Sequence, residues 1–256
     1  MNLKTFFDEN KKCAIAFSGG TDSSFLLYAA KNYGCDVRAY YIHSPFQPEF
    51  ELEDAMRIAT QLNVDLKILT YNILENRQVQ KNPVNRCYFC KKNIFKKIIN
   101  QAKSDGYLVI LDGTNASDDV NDRPGMKALT ELNVLSPLRI CGITKTDVRR
   151  LSKGAGLFTY KKPSYACLAT RIPTGHEILK EDLMKVEKAE SILSEMGFQN
   201  FRIRMYHYEV GVASLETEER QWKYAQDNLD KIEKMLIPWF DRIILENTHR
   251  KAEIIL

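Results

Sequence analysis

Residues 12–34 read KCAIAFSGGTDSSFLLYAAKNYG. The run 12–17 is short and apolar and follows two lysines, which predicts a buried strand. From Thr21 to Tyr33, the residues Phe25, Leu26, Leu27, Ala29 and Ala30 recur at helical spacing, and Gly34 ends the helix. Between strand and helix lie Ser18, Gly19, Gly20, Thr21, Asp22, Ser23 and Ser24. Two glycines let the backbone approach a ligand closely. The N–H groups at the helix start, with the Ser and Thr hydroxyls, form an anion site. The lysine of a Walker P-loop is missing, which disfavours GTPase-like chemistry. The competing account is a plain strand-to-helix turn capped by Asp22 or Ser23.

Outward from this stretch the alternation continues. DVRAYYIH (36–43), VDLKILT (64–70) and YLVILDG (107–113) read as strands. Residues 49–62, 85–103 and 146–153 read as helices, and Leu135 falls near a further strand. Strands alternating with helices predict an α/β fold, a doubly wound parallel sheet covered on both faces. Residues 154–176 are rich in Gly, Pro, Ser and Thr and read as a long functional loop. Beyond it come a helix (180–196), two alternating strands forming a hairpin (201–208 and 210–216), a helix (218–236) and a last strand (239–245). The expected domains are 1–171 for the nucleotide and 172–256, a small α+β unit for substrate or oligomerisation.

The 256 residues are enough for one large domain, or one medium and one small. Hydrophobic residues make up 44% and charged residues 27%, which excludes disorder and collagen-like repeats. No apolar run approaches the ~18 residues of a membrane span. The opening MNLKTFFDENKK has no secretory character, so a cytoplasmic protein is expected. Residues 1–171 hold 25 Lys/Arg against 17 Asp/Glu, and residues 172–256 hold 12 against 16. A basic first part suits an anionic ligand such as a nucleotide. The excess is too small and dispersed for a nucleic-acid track.

Two further sets of residues carry chemistry. LDGTNASDD (111–119) puts Asp112, Gly113 and Thr114 at a strand's C-terminal end, where open α/β sheets bind ligands. Arg123 and Lys127 stand beside Asp112, Asp118, Asp119 and Asp122, and an arginine there suits a phosphate or carboxylate. The six cysteines, without a signal peptide, read as thiols rather than a disulfide framework. Cys13, Cys35 and Cys141 sit in or beside strands and read as small buried hydrophobes. Cys87 and Cys90 form CxxC at a helix start; metal binding, redox exchange and an incidental role all remain open there. Cys167 lies in the long loop among Lys161, Lys162 and Arg171, and positive neighbours raise a thiolate fraction. If that loop folds back over the sheet, the three thiolates can hold a 4Fe–4S cluster with one iron open. A fourth ligand from His176 or His43 would make a zinc site instead. His207 and His249 show no partner pattern.

SGGTDSS resembles the pyrophosphate loop of the adenine-nucleotide α-hydrolase superfamily. This implies cleavage of ATP between its α and β phosphates, with Mg²⁺ neutralising the phosphates and Asp22 facing the metal or capping the helix. Together with RCYFCKK, DGTNASDD and RPG, SPLRICGITKTDVRRL and KPSYACLATRIPTG, it resembles LarE-like proteins over nearly the whole chain. The resemblance implies a sulfur transferase acting on a small-molecule nucleotide, pyridinium-3,5-biscarboxylic acid mononucleotide, in the making of the nickel-pincer nucleotide of lactate racemase. ATP would adenylate a carboxylate, and sulfur would displace AMP. It implies Ser18–Ser24, Asp112–Thr114, Arg123 and Arg171 as binding residues. The catalytic group would be Asp22, Cys87, Cys90 and Cys167. The three cysteines favour the subtype whose 4Fe–4S cluster carries an extra sulfide, over one in which Cys167 gives up its own sulfur. The sulfide donor is unknown, and a homo-oligomeric ring is expected. One departure is Ala213-Ser214-Leu215-Glu216, where relatives often carry an arginine; Glu216 and Glu190 are candidates for a metal or substrate site. The competing functions are a zinc ligase or amidase, an RNA thiolase and a nucleotide sensor. Relatives that thiolate tRNA usually carry added RNA-binding domains, and none is expected here.

Overall fold

The computed structural model describes residues 1–118, 124–206, 208–246 and 250. These fall into two compact units. The first is Met1–Ile73 with Asn85–Lys162, and the second is Leu74–Val84 with the described residues from Pro163 onward.

The first unit begins with α1 (Leu3–Glu9), whose Asn2 side chain accepts from the Thr5 N–H as an N-cap. Then come β1 (Lys12–Ala16), α2 (Thr21–Asn32), β2 (Asp36–His43), α3 (Glu49–Leu62) and β3 (Leu66–Thr70). After α4 (Arg77–Gln80), which belongs to the second unit, the first resumes with α5 (Arg86–Ser104) and β4 (Val109–Leu111). It ends with α6 (Pro124–Glu131), α7 (Pro137–Ile140) and α8 (Lys145–Gly154). The four strands form one parallel sheet in the order β3-β2-β1-β4. Leu135 adds a single parallel bridge to Leu111, so the expected strand there is only a stub.

Strand side chains alternate between two cores. Cys13, Ile15, Ala39 and Tyr41 pack with α1, α2 and α3. Ala14, Tyr40 and Ile42 pack with Phe95, Ile98 and Ala102 of α5 and Leu129 of α6. Helices therefore cover both faces, and the doubly wound α/β sheet expected from the alternation is present. α1 and α6 had no counterpart in the periodicity, because each spans about two turns. α8 starts at Lys145, since Thr144 and Asp147 form a reciprocal capping box.

The second unit contains α9 (Lys180–Glu195), β5 (Arg202–Met205), β6 (Val212–Glu216), α10 (Glu219–Asp227), α11 (Leu229–Leu236) and β7 (Arg242–Leu245). β5 and β6 pair antiparallel, as the expected hairpin, and β7 joins β6 in parallel. The helix expected over 218–236 is two helices, broken at Asn228, whose ψ of 12° is not helical. Residues 163–171, expected with the nucleotide domain, pack in this unit together with Leu74–Val84. No described helix is long and apolar enough to cross a membrane.

A polar knot anchors α5 to the sheet. Asp105, at its C-terminus, accepts from Lys67 Nζ at 2.9 Å, the Tyr40 hydroxyl at 2.9 Å and Gln101 Nε2 at 3.1 Å. The Lys67 ammonium foremost holds its carboxyl down to about 2, against the opposing effect of desolvation. A carboxyl depressed in the folded state stabilises it above the ordinary value of 3.8, and that contribution is lost as pH falls through about 2. Acid unfolding followed by circular dichroism should show this loss in the wild type. Asp105→Asn should be less stable at neutral pH and should vary less across that window.

Candidate active site

β1 runs out at Ala16 and hands the chain to α2 through Ser18–Gly20. β1 is where the sheet changes direction, with β2 and β3 on one side and β4 on the other. Open α/β sheets bind ligands at such a switch point. Gly20 is the N-cap of α2 and no side chain caps the helix, so its first-turn N–H groups are open to an anion.

Two glycines set the shape of this cradle. Gly19 has φ +69°, and a Cβ there would stand 2.9 Å from Ala55 N and Glu51 O of α3. A Cβ on Gly113, after β4, would stand 2.9 Å from Ser23 N. The loop after β1 thus lies backbone to backbone on α3, and the loop after β4 lies backbone to backbone on the first turn of α2.

The expected hydroxyls divide by environment. Ser18 Oγ is 3.0 Å from Ser23 Oγ, and it also accepts from the Gly20 N–H. Thr21 donates its hydroxyl to the Thr159 carbonyl at 2.8 Å. Ser24 Oγ is buried without a hydrogen-bond partner. Asp22 pairs with Lys145 Nζ at 2.6 Å and accepts from Asn115 Nδ2 at 3.4 Å. Asp112 is buried and its two oxygens accept from Ser136 and Thr114, which knots the loop after β4. Arg123, Asp119, Asp122, His207 and His249 lie outside the described residues.

Cys87 and Cys90 occupy the first turn and a half of α5, three residues apart and so on one side of the helix. Cys87 is exposed and Cys90 half-buried, and Arg86 Nη2 lies 4.0 Å from Cys87 Sγ. A pair of accessible thiols at this spacing suits a soft metal. Cys167 belongs to the second unit. Among the described residues, no three His, Cys, Asp or Glu side chains gather as a metal site. Cys13 and Cys35 are buried, as expected, with their sulfurs 3.2 Å apart. Cys141 is half-buried, and burial pushes its thiol up.

In the second unit the Cys167 loop is built around Arg171. This fully buried guanidinium forms a bidentate pair with Glu190 at 2.8 and 3.0 Å and stacks on Tyr165. It also donates to the carbonyls of Ala166 and Cys167. Tyr165 donates to Glu190 as well. Glu216 instead pairs with Arg204 at 2.6 Å and with Arg250 at 3.8 Å. Glu190 and Glu216 are therefore each taken up by arginines of this unit.

Sequence reasoning passed over Arg202. Its half-buried guanidinium has an Nε with no hydrogen-bond partner. Burial first, and then the cations of Arg250, Arg171 and Arg204, bring it down to about 10. Its cross-strand neighbour is Glu216, which already pairs with Arg204 and Arg250, so three guanidiniums meet one carboxylate there, an excess of positive charge that suits an anion. The alternation Arg202-Ile203-Arg204 in a strand was the available signal, since it puts two guanidiniums on one face.

Comparisons with known proteins follow the same lines. The family model described as queuosine biosynthesis protein QueC matches residues 12–86. An uncharacterized protein of Synechocystis is 35% identical, over 88% of this chain and 84% of its own length. An uncharacterized protein of Methanocaldococcus jannaschii is 32% identical, over 95% and 92%. The pyridinium-3,5-bisthiocarboxylic acid mononucleotide synthase of Lactiplantibacillus plantarum is 29% identical, over 82% of this chain and 75% of that protein.

Substitution of either cradle glycine tests the geometry. Gly113→Ala forces backbone apart and should cost about 1–3 kcal/mol of stability, as overpacking does. Gly19→Ala adds the left-handed strain of roughly 1–2 kcal/mol to a similar clash. Urea denaturation measures the loss, and calorimetric titration with ATP should show weakened binding in both.

Proposed function

Because the chain belongs to the LarE-like family of PP-loop ATP-dependent sulfur transferases, we propose that it converts the carboxylates of pyridinium-3,5-biscarboxylic acid mononucleotide to thiocarboxylates. One observation carries this reading. The similarity to the named synthase covers 82% of the chain, which is more than the nucleotide-binding unit alone. A resemblance confined to the cradle would have supported ATP use and nothing about the acceptor.

The chemistry follows from the groups present. A carboxylate is a poor electrophile with a poor leaving group, so it must be activated. A carboxylate oxygen attacks the α-phosphorus of ATP, the bond to the β-phosphate oxygen breaks, and pyrophosphate leaves with the electron pair. A sulfur nucleophile then adds to the acyl carbon and AMP departs. The open N–H groups at the start of α2, with Ser18 and Ser23, would grip the departing pyrophosphate. Mg²⁺ would neutralise the phosphates, with Asp22 as the carboxylate of the Ser18–Ser24 stretch. Arg202 and Arg204 are suited to the phosphate of the mononucleotide.

Cys87, Cys90 and Cys167 would hold a 4Fe–4S cluster, which when bound supplies an extra sulfide at its open iron as the sulfur source. What supports this is the accessible thiol pair on α5 and a third thiol in a loop shaped by a buried arginine. Anaerobically reconstituted protein should contain about four irons per chain, as a 4Fe–4S centre requires. Alanine at any of the three cysteines should abolish both the iron and the transfer. Protein that binds no iron, but in which Cys167 loses the mass of one hydrogen sulfide after a single turnover, would identify Cys167 itself as the donor. Pyrophosphate release that depends on the biscarboxylate tests the substrate.

The arginine cluster gives a separate test. Arg202→Met removes a poorly paired half-buried cation, so its melting temperature should match or exceed that of the wild type. The increase in melting temperature on adding the mononucleotide should be lost. Arg202→Lys should retain part of it.

A further inference from the structure

Between Ser18 and Ser24 the cradle has no lysine of its own, whereas a Walker loop reaches the β- and γ-phosphates with one. A lysine does reach this cradle, from 143 residues beyond Gly19. After α8 the chain crosses the first unit as a strap over residues 156–162. Gln61 donates to the Gly156 carbonyl at 3.1 Å, and the Arg57 guanidinium lies 4.0 Å from the centre of the Phe158 ring. Thr21 holds the Thr159 carbonyl. Buried Arg149 donates to the carbonyls of Tyr160 at 2.6 Å and Lys162 at 2.9 Å. Residues on α2, α3 and α8 thus fix the strap at its start, middle and end.

The strap delivers Lys162. Its ammonium lies 5.3 Å from the centre of the Phe50 ring, 2.6 Å from Asp54 Oδ2 and 3.4 Å from the Gly19 carbonyl oxygen. Its side chain is only 14% exposed. We propose that Lys162 is the phosphate-gripping cation of the cradle, held by Asp54 until ATP enters and then donating to the β- and γ-phosphates.

Three physical points carry this inference, which rests on the ATP-dependent reading above. The Gly19 carbonyl is an acceptor at the mouth of an anion site, and a cation beside it removes the repulsion that a phosphate would meet. A triphosphate carries several negative charges against one on Asp54, so the ammonium gains more Coulomb energy from the ligand than from its resting partner. An ammonium has three donors, so it can turn toward phosphate oxygens without its backbone leaving the strap. As the α-phosphorus bond breaks, its electron pair passes to the pyrophosphate oxygen, and the Lys162 charge meets it there with no proton transferred. Lys162 is then a catalytic residue, and Arg149 and Thr21 position it.

The test is calorimetric binding of inorganic pyrophosphate, ATP and AMP to the full chain, with circular dichroism as the check on folding. Lys162→Met should weaken pyrophosphate and ATP binding roughly ten- to a hundredfold, as loss of a charged hydrogen bond does. AMP, which lacks the β- and γ-phosphates, should change less than about threefold. Lys162→Arg should restore most of the loss. Asp54→Asn should tighten pyrophosphate binding, because it releases the lysine from its resting partner. The proposal is overturned if Lys162→Met binds pyrophosphate like the wild type. It is overturned also if the folded variant loses AMP and pyrophosphate equally, or if Asp54→Asn weakens pyrophosphate as Lys162→Met does. A wild-type chain that binds neither ATP nor pyrophosphate would instead overturn the ATP-dependent reading, and this proposal with it.

Discussion

Backbone touches backbone at the ends of β1 and β4, and the candidate site is organised around that contact. Gly113 lies against the first turn of α2 so closely that a Cβ would reach within 2.9 Å of Ser23 N. Gly19 lies as close to α3 and adopts a left-handed φ of 69°. A side chain at Gly113 would wedge its loop away from the start of α2, and one at Gly19 would push the first loop off α3. The open N–H groups of α2 are useful to a ligand only while both loops stay close. Ser136 and Thr114 hold Asp112 so that the Gly113 loop keeps its course.

Around this contact the charged groups are stored in pairs. Asp22 is matched by Lys145 and Lys162 by Asp54, in each case at 2.6 Å. Such pairs keep a ligand-free cradle near neutrality and leave each partner able to exchange for a stronger one. Arg171 differs, because its side chain is fully buried and its guanidinium is spent on Glu190 and on carbonyls of its own loop. Exchange there would strand a buried carboxylate, which is costly. Arg171 is thus suited to shaping the Cys167 loop. Arg202 is the opposite case, a cation near other guanidiniums whose cross-strand neighbour Glu216 already pairs with Arg204 and Arg250. An anion would relieve that arrangement, and the phosphate of a nucleotide has the charge for it.

Much of this was legible in residue order. The apolar runs at 12–17 and 36–43 and the helical spacing after Thr21 carry the α/β alternation, because burial on both faces leaves near-continuous apolar strands. α1 and α6 were not legible, being too short for a period to establish itself. The break at Asn228 was also hidden, since the amphipathic pattern continues across it. SGGTDSS announces an anion site through glycine and hydroxyl chemistry alone. Nothing local marks Lys145 or Lys162 as its neighbours, because lysines on the surface of any helix or loop look alike in sequence.

The sequence by itself determined the sheet, the glycine-rich turn into α2 and the burial of Cys13 and Cys35, whereas Cys141, expected to be buried with them, is half-buried like Cys90 and Cys167. Those are properties of short segments, set by periodicity, glycine content and polarity. Only the tertiary structure decided which charges meet. It placed Lys162 beside Gly19, gave Arg171 to Glu190 and left Arg202 among cations. Ion pairing depends on distances of a few ångströms between residues far apart in the chain, and such distances exist only once the strands have packed and the strap has crossed them.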